Sequence, residues 1–291
     1  MRFEVLTLFP DSMDRMLSES IIGRARESGL ITVQTTNIRD YSENRHHKVD
    51  DYPYGGGTGL VMTPQPIVDA WQATVDRLGF RPRTLFMSPQ GKVLDQAMAQ
   101  RLRGEECLIL LCGHYEDVDE RVLEEIVDEE VSIGDYVLTG GELPAMVLID
   151  CVSRLVEGVL ASEESYSEES HYSGLLEYPQ YTRPPEFKGR KIPDILLSGH
   201  HSNVQKWRFL KMLERTREKR PDLFEAYEKA HPEKVLEAFG LLPKKQRRRR
   251  KSASGGLDVP VGLAGIADPG VSSEPSVSAE QVDAAGTEAQ S

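Results

Sequence analysis

The feature that most constrains the fold of this chain is the alternation of strand-like and helix-like segments over residues 1–158. Phe3–Phe9 is a short apolar run, and Pro10 after it is typical of a helix start. Arg83–Met87 and Cys107–Cys112 have the composition of buried strands. Further segments have a strand pattern (31–38) or helical spacing (10–28, 67–78, 94–102, 118–127 and 143–156). This order predicts an α/β fold, with a mostly parallel sheet and helices on both faces.

Three loops are predicted to meet at one edge of this sheet. Ser88–Gly91, Gly113–Glu116 and Ser132–Pro144 each follow a predicted strand. Open parallel sheets bind their ligands outside the carboxyl ends of the strands, where such loops lie. The sequence therefore predicts a single pocket formed by the three loops.

The Ser132–Pro144 loop has the composition of a ligand-binding turn. Its glycines, at positions 134, 140 and 141, let the backbone approach a ligand closely, and Pro144 suits a first helical turn. The loop lacks the Gly-Lys-Ser/Thr of triphosphate sites and the Gly-x-Gly-x-x-Gly of dinucleotide folds. Its backbone groups favour a flat polar ligand such as a purine. The alternative is an ordinary turn between a strand and a helix.

Composition excludes several classes of protein. The chain has 291 residues, a net charge of −12 and no apolar run near the ~18 residues of a membrane span. Glu4 and Pro10 interrupt the N-terminal apolar stretch, which argues against a signal peptide. Three cysteines without a Cys-x-x-Cys pattern argue against a disulfide framework or a zinc site. We therefore expect a protein of the reducing cytoplasm, without a membrane partner.

The C-terminal part differs in composition. Residues 160–174 are polar and acidic, typical of a flexible linker, and 201–239 return to helical patterns broken by Pro221 and Pro232. After Pro243 come a basic run and a Ser/Gly/Ala/Pro-rich tail that we expect to be disordered. The predicted units are an α/β domain (1–159), a linker (160–175), a helical domain (176–243) and a tail (244–291).

A basic helix offers a surface for RNA despite the acidic total. Residues 200–220 contain seven Lys or Arg and two Glu, a local charge of 7 − 2 = +5. Such a helix can contact phosphates locally, although a solvated helix face is the alternative. The basic run at 244–251 has the same two interpretations, and there the solvated tail is favoured.

Two histidine pairs do not predict a metal site. The side chains of His46 and His47, and those of His200 and His201, point in different directions on any regular element. Neither pair has a carboxylate at ligand spacing. Structural or RNA-contact roles are favoured, and no metal ligand is assigned.

Several segments together resemble the bacterial tRNA (guanine-N1)-methyltransferases, the TrmD family. The matching segments, in chain order, are Leu6–Pro10, Ile22–Ala25, Val49–Asp51, Pro53–Gly57, Ser88–Gly91, Cys112–Gly113, Tyr115–Glu116, Ser132–Pro144, Tyr181–Pro184 and Leu196–Gly199. The resemblance covers about residues 1–243. It implies a SPOUT-type fold whose chain forms a trefoil knot, a rare exception to the usual topology rules.

The resemblance also implies an activity and its partners. Members of the family transfer the methyl group of S-adenosylmethionine to N1 of the guanosine 3′ to the tRNA anticodon, work as homodimers and use magnesium for turnover. No pattern identifies a magnesium ligand, and Glu116 and Glu169 are the candidates. The residues expected to contact the cofactor are Ser88, Pro89, Gly113, Tyr115, Glu116, Ser132, Ile133, Gly134, Asp135, Tyr136, Val137, Leu138, Gly140, Gly141 and Pro144. Those expected to contact tRNA are Asp50, Gly59, Lys206, Arg208, Lys211 and Arg215.

The expected catalytic residues are Arg154 and Glu169. By resemblance, a linker carboxylate accepts the guanine N1 proton while the arginine supports the base. The family's Glu-Asp-Ser reads Glu168-Glu169-Ser170 here, so the carboxylate is one methylene longer than the family aspartate. Asp117 is a second departure, since the family usually has glycine there.

Other functions remain open at this stage. One is a noncatalytic RNA-binding protein that keeps the fold but lost activity through the Glu169 change. Another is a SPOUT enzyme with a different RNA substrate, which the Tyr54–Gly57 and Tyr181–Pro184 segments disfavour.

Overall fold

The main sheet has five strands, and every neighbouring pair is parallel. The structure is a computed structural model that describes residues 1–161 and 169–241. Its strands are β1 Arg2–Thr7, β2 Thr32–Asn37, β3 Asp50–Asp51, β4 Val61–Met62, β5 Arg83–Val93, β6 Cys107–Cys112, β7 Asp117–Val118, β8 Glu129–Ser132, β9 Glu186–Phe187 and β10 Arg190–Lys191. The sheet order is β2-β1-β6-β5-β8, and β3-β4-β7 form a second small sheet. The predicted parallel α/β sheet is confirmed, while the knot stays a prediction.

The helices are α1 Pro10–Leu17, α2 Ser20–Glu27, α3 Pro64–Leu78, α4 Gln96–Arg103, α5 Glu120–Ile126, α6 Glu142–Ser153, α7 His201–Lys219, α8 Pro221–Ala230 and α9 Pro232–Ala238, with short 3₁₀ turns at Ile38–Tyr41 and Asp194–Leu197. Helices α1 to α6 cover the sheet on both sides. None of the helices in the described part of the chain is long and apolar enough to cross a membrane.

Each face of the sheet has its own hydrophobic core, because side chains alternate along a strand. In β6, Leu108 and Leu110 pack in the core that contains residues of α1, α2, α4 and α6. Ile109 and Leu111 pack on the opposite face with residues of α3 and α5. All four side chains are fully buried. The continuous apolar run Cys107–Cys112 is thus the sequence of a strand that is covered on both faces.

Glu4 is a buried charged residue of β1, an interior strand of the sheet. Its side chain is fully buried and accepts hydrogen bonds from Arg2 Nε at 2.6 Å and Arg77 Nη2 at 2.7 Å. A buried carboxylate is tolerated only when such partners compensate its lost hydration. Glu4 raises the pKa of the Arg77 guanidinium through this hydrogen bond. The pair ties α3 to the middle of the sheet.

Some predicted boundaries were wrong. The stretch 10–28 forms two helices, since the chain breaks at Ser18 and Glu19. The helix predicted at 118–127 begins only at Glu120, because Asp117–Val118 pairs with β4. Strand β5 continues to Val93 instead of ending at Met87, since it pairs with β8 again after a bulge.

The C-terminal segment has a third hydrophobic core. As predicted, α7 to α9 are separated at Pro221 and Pro232, each of which begins a new helix. The core contains Leu213 and Phe224 from these helices, together with Leu175 from the end of the predicted linker. Residues 1–241 form one compact unit. The tail predicted from residue 244 lies outside the described residues, and the four-part division stays a prediction.

Candidate functional site

The three predicted loops line one cavity of about 250 Å³, at the bulge within β5 and at the carboxyl ends of β6 and β8. All of the predicted cofactor-binding residues except Asp135 are on its wall. Asp135 is the middle residue of a three-residue turn, in which the Tyr136 N–H donates to Gly134 O at 2.9 Å, and its side chain is exposed. The geometry therefore brings together residues from loops far apart in the chain.

The first loop is a bulge in β5. Val131 of β8 pairs with Met87 and again with Lys92, so the residues between them project out of the ladder. A Cβ on Gly91 would overlap the backbone of Glu130, so only glycine fits this close approach. The bulge directs Ser88 and Pro89 to the cavity.

The second loop is strained. Tyr115 has φ +63°, a left-handed conformation that residues other than glycine rarely adopt. Its neighbour His114 packs edge-on against the rings of Phe9 and Tyr115, with ring centroids 5.0 Å apart in both pairs. The Glu116 N–H donates to Leu60 O at 3.0 Å. Such strain is common at ligand sites, where the surrounding structure holds it in place.

The third loop is tied to the second by its glycines. The Gly141 N–H donates to Gly113 O at 2.8 Å, and His114 forms an isolated bridge with Gly140. A Cβ on Gly141 would lie 2.8 Å from Cys112 Cα. Ser132 Oγ bonds to both the N–H and the carbonyl of Gly134. The loop therefore presents its backbone to the cavity, as its glycine content predicts.

The charge of the wall selects the kind of ligand. Within the described part of the chain, the charged residues that line the cavity are Glu116 and Asp117, and no lysine or arginine lines it. Phosphate groups would face carboxylates here without a compensating cation. A cationic ligand suits the wall better, because opposite charges attract more strongly in a partly enclosed site. The Asp117 side chain folds back onto the backbone, where its Oδ1 accepts a hydrogen bond from the Val118 N–H at 2.8 Å.

The sequence interpretation missed some of the wall. His114, Gln90 and Thr139 also line the cavity, although they were not assigned to it. Nδ1 of His114 is buried, with no hydrogen-bond partner among residues 1–161 and 169–241. All three lie within the three predicted loops, so their position after the predicted strands is the sequence feature that could have assigned them to the cavity.

Two residues expected to contact tRNA lie in the segments that connect to Glu116 of the cavity wall. Asp50 is in β3, which pairs with β4 in the small sheet, and β4 pairs with β7 next to Glu116. Gly59 has φ +88°, and a Cβ there would overlap the Glu116 side chain. The glycine-rich segment 55–59 is therefore connected to the cavity through Glu116.

The two expected catalytic residues are in direct contact. Arg154 follows the last residue of α6, and its Nη2 donates to both carboxylate oxygens of Glu169, at 2.6 and 2.7 Å. The side chains are 33% and 42% exposed, so the pair is open to an incoming base. They line a small second cavity of about 50 Å³ with Gln96, Tyr172 and others. This cavity and the larger one share no lining residue.

The four expected cations of α7 differ in their surroundings. Lys206 is exposed, and Lys211 donates to Glu214 at 2.6 Å. Arg208 lies over the Tyr178 ring at 4.6 Å, and Arg215 Nη1 donates to Glu177 O at 3.0 Å. The two arginines thus hold α7 against residues 177–178, and they are less free to contact phosphates than Lys206.

The described residues contain neither a cysteine activated as a nucleophile nor a cluster of metal ligands. Burial raises the pKa of the Cys107 thiol to about 11 and raises the pKa of the Cys112 thiol well above its usual range. A thiol with a raised pKa is a poor nucleophile at neutral pH. No three His, Cys, Asp or Glu side chains among these residues are placed to hold a metal ion. We therefore assign no step to a magnesium ion.

Comparison with known proteins decides the family. Residues 1–226 match the family described as tRNA (Guanine-1)-methyltransferase TrmD. The chain belongs to this family. A TrmD-family relative from Ruminiclostridium cellulolyticum, named tRNA (guanine-N(1)-)-methyltransferase, is 62% identical over 77% of this chain and 96% of its own length. One of the same name from Lachnospira eligens is 57% identical over 79% and 98%.

A solved structure agrees with this assignment. The crystal structure of tRNA (m1G37) methyltransferase from Aquifex aeolicus is 39% identical in sequence, with a TM-score of 0.64. The match covers 78% of this chain and 95% of that one. At this identity, the similarity extends to the family as well as to the fold.

Proposed function

We propose that this chain is a cytoplasmic tRNA (guanine(37)-N1)-methyltransferase that uses S-adenosylmethionine. Two features of this TrmD-family chain support the proposal together. They are the acidic, glycine-walled cavity and the contact between Arg154 and Glu169. The first suits a cationic methyl donor, and the second suits the edge of guanine that is methylated.

The larger cavity fits the cofactor. S-adenosylmethionine, when bound, supplies an electrophilic methyl group on a positively charged sulfonium. The backbone groups of the Gly113 and Ser132–Pro144 loops can hydrogen-bond to its adenine. Glu116 and Asp117 provide negative charge for its cationic part, while the glycines keep the wall open. We propose that the assigned lining residues hold the cofactor.

The pair Arg154–Glu169 matches the Watson–Crick edge of guanine. That edge places an acceptor, O6, beside a donor, N1–H. The pair places a donor, the guanidinium, beside an acceptor, the carboxylate. A guanine that enters can therefore accept a hydrogen bond from Arg154 at O6 and donate one from N1–H to Glu169. These bonds would replace those that the two side chains now make with each other.

This arrangement supports a balanced reaction. With the cofactor bound, the guanine N1 would form its bond to the methyl carbon as the carbon–sulfur bond breaks and its electrons remain on sulfur. Glu169 takes the N1 proton, and Arg154 stabilises the electron density that grows on O6. The protein otherwise contributes orientation, since transfer requires N1, carbon and sulfur in line.

The two cavities share no lining residue within one chain, and we propose that a homodimer brings them together. Helix α6 supports this arrangement. Apolar residues occur on every side of α6, and Leu143 and Val147 remain 54% and 46% exposed. A helix that is apolar all round is normally buried. A second copy of the chain is the occupant that also completes the site.

The oligomeric state tests this part of the proposal. Val147→Asp would place a charge in the proposed interface, and we expect light scattering to show a monomer of about half the native mass and greatly reduced methylation. Phe80→Asp is the matched control, since Phe80 is 43% exposed outside α6. A native protein that is monomeric at micromolar concentration, yet active, would contradict the dimer.

Methyl transfer itself tests the function. Mass spectrometry of tRNA incubated with protein and cofactor should show 1-methylguanosine at position 37. Glu169→Gln should lower the single-turnover rate by about 10²–10⁴-fold, while Glu169→Asp stays active and cofactor affinity is unchanged. Glu157→Gln, a change of an exposed carboxylate nearby in sequence, is the control. Native rates in Glu169→Gln would exclude this residue as the base, and absence of methylated tRNA from native protein would favour a noncatalytic RNA-binding role.

We also propose that the cations of α7 contact tRNA phosphates and that Asp50 and Gly59 lie near the target guanine. Lys206→Ala combined with Lys211→Ala should weaken tRNA binding and reduce its dependence on salt, because fewer counterions are released. Deletion of residues 244–291 should have a smaller effect. A larger effect of the deletion would place the main contact in the tail.

A further inference from the structure

A short β-hairpin at 186–191 projects an unusual combination of side chains. Strands β9 and β10 pair antiparallel, with Phe187 opposite Arg190. Lys188 and Gly189 between them both have positive φ, +49° and +75°, as a two-residue type I′ turn requires. The Ile192 N–H donates to Pro185 O at 3.0 Å and closes the base of the hairpin. The turn is therefore defined by backbone geometry rather than by burial.

The hairpin is exposed throughout. Every residue from 181 to 191 is exposed, and Phe187 is 63% exposed. An exposed phenylalanine on a small hairpin has no core to fill. Lysine at positive φ is also uncommon, and here it places Nζ over the Phe187 ring at 5.5 Å from the centroid. The structure thus holds an aromatic ring and a cation together at the surface.

The charge of this segment opposes that of the chain. Residues 183–191 contain four cations and one acid, a local charge of 4 − 1 = +3, in a chain of net charge −12. Lys191 lies 3.8 Å from Glu186, a weak surface pair. The side chains of Arg183 and Arg190 make no hydrogen bond or ion pair within the described residues. Because Phe187 and Arg190 are directly opposite, one face of the hairpin carries an aromatic ring beside a free guanidinium.

We propose that this face, formed by Phe187, Lys188 and Arg190, is a second RNA contact, separate from α7. Phe187 stacks on an unpaired base of the bound tRNA, and the two cations contact adjacent phosphates. Proteins recognise single-stranded RNA through such stacking on aromatic side chains combined with positive charge. The inference rests on the proposed tRNA substrate and adds where part of that substrate binds.

The aromatic contact is tested with the full-length protein. Phe187→Ala should weaken tRNA binding by about 5- to 150-fold, the usual effect of losing one base–aromatic stack. Phe187→Tyr keeps the ring and should retain native affinity. Phe80→Ala removes an aromatic side chain of 43% exposure elsewhere and should have no effect. Because no residue of the hairpin lines the larger cavity, the Michaelis constant for tRNA should rise while the cofactor dissociation constant stays native.

The charged contact is tested through salt. Lys188→Ala combined with Arg190→Ala should reduce the slope of log affinity against log salt by about 1.4 to 1.8, since each phosphate contact contributes ~0.7 to ~0.9. Lys229→Ala combined with Lys234→Ala is the matched control, because both lysines are exposed and the charge change is equal. An equal reduction in the control pair would show a general charge effect and overturn the assignment.

The outcomes separate this inference from the proposed function. If native protein neither binds nor methylates tRNA, the proposed function fails, and the inference fails with it. If native protein methylates tRNA but Phe187→Ala binds it with native affinity, only the hairpin contact is refuted. If Phe187→Ala protein keeps native tRNA affinity but forms a weaker dimer, the hairpin is a protein contact, and the proposal is equally overturned.

Discussion

Gly141→Ala is the most direct test of the cofactor cavity. Gly141 has φ −81° and ψ −5°, a conformation open to alanine, so the substitution strains no backbone angle. Its effect is therefore steric. The added Cβ would lie 2.8 Å from Cys112 Cα, 3.1 Å from Gly113 N and 3.2 Å from Cys112 Cβ.

The size of the effect follows from these distances. Carbon atoms in contact prefer a separation of about 3.5–4.0 Å, so the loop and β6 must separate by about 0.7 Å. Strand β6 is fully buried between β1 and β5 and cannot yield easily. We therefore expect the loop to move, with a loss of about 1–3 kcal/mol in the free energy of unfolding. The same strain should weaken cofactor binding by about 5- to 150-fold.

Calorimetry with S-adenosylmethionine and urea unfolding measure the two effects. Gly104→Ala is the control, since Gly104 also has a helical φ of −71°, is exposed, and its nearest neighbour, Arg101 O, is 3.2 Å from the added Cβ. We expect nearly native behaviour from this variant. Native stability and native cofactor affinity in folded Gly141→Ala protein would refute the proposed position of the loop.

Three further predictions concern the rest of the molecule. Arg77→Met leaves the buried Glu4 with Arg2 as its remaining ion-pair partner and should lower the free energy of unfolding by about 3 kcal/mol; an unchanged urea midpoint would contradict it. Burial raises the pKa of Cys107 to about 11, so the unfolded chain loses this thiol proton at a lower pH than the folded protein does. The thiol's contribution to stability should then be constant below about pH 9 and fall as the pH rises toward 11, measured by urea unfolding of Cys107→Ala and native protein. Gly59→Ala should strain the backbone and displace the Glu116 side chain, which would appear as weaker cofactor binding in calorimetry, and unaltered binding would separate this loop from the cavity.

The sequence by itself determined the local elements. The apolar run Cys107–Cys112 coincides with β6, and Pro221 and Pro232 begin helices as their missing N–H groups require. The three loops that follow the predicted strands could be placed at one edge, because parallel strands carry their binding loops at the same end, although the first of them is a bulge within β5. These inferences depend on neighbours in the chain, which a sequence pattern records directly.

Tertiary structure decided the rest. The order β2-β1-β6-β5-β8, the bulge after Met87 and the exclusion of Asp135 from the cavity all depend on which distant segments pair. The contact between Arg154 and Glu169, and the Phe187 hairpin with its ring left exposed, likewise follow from long-range packing. Periodicity shows which face of an element is apolar, but not which element covers it. That choice is made by the free energy of the whole packed arrangement, to which every distant contact contributes.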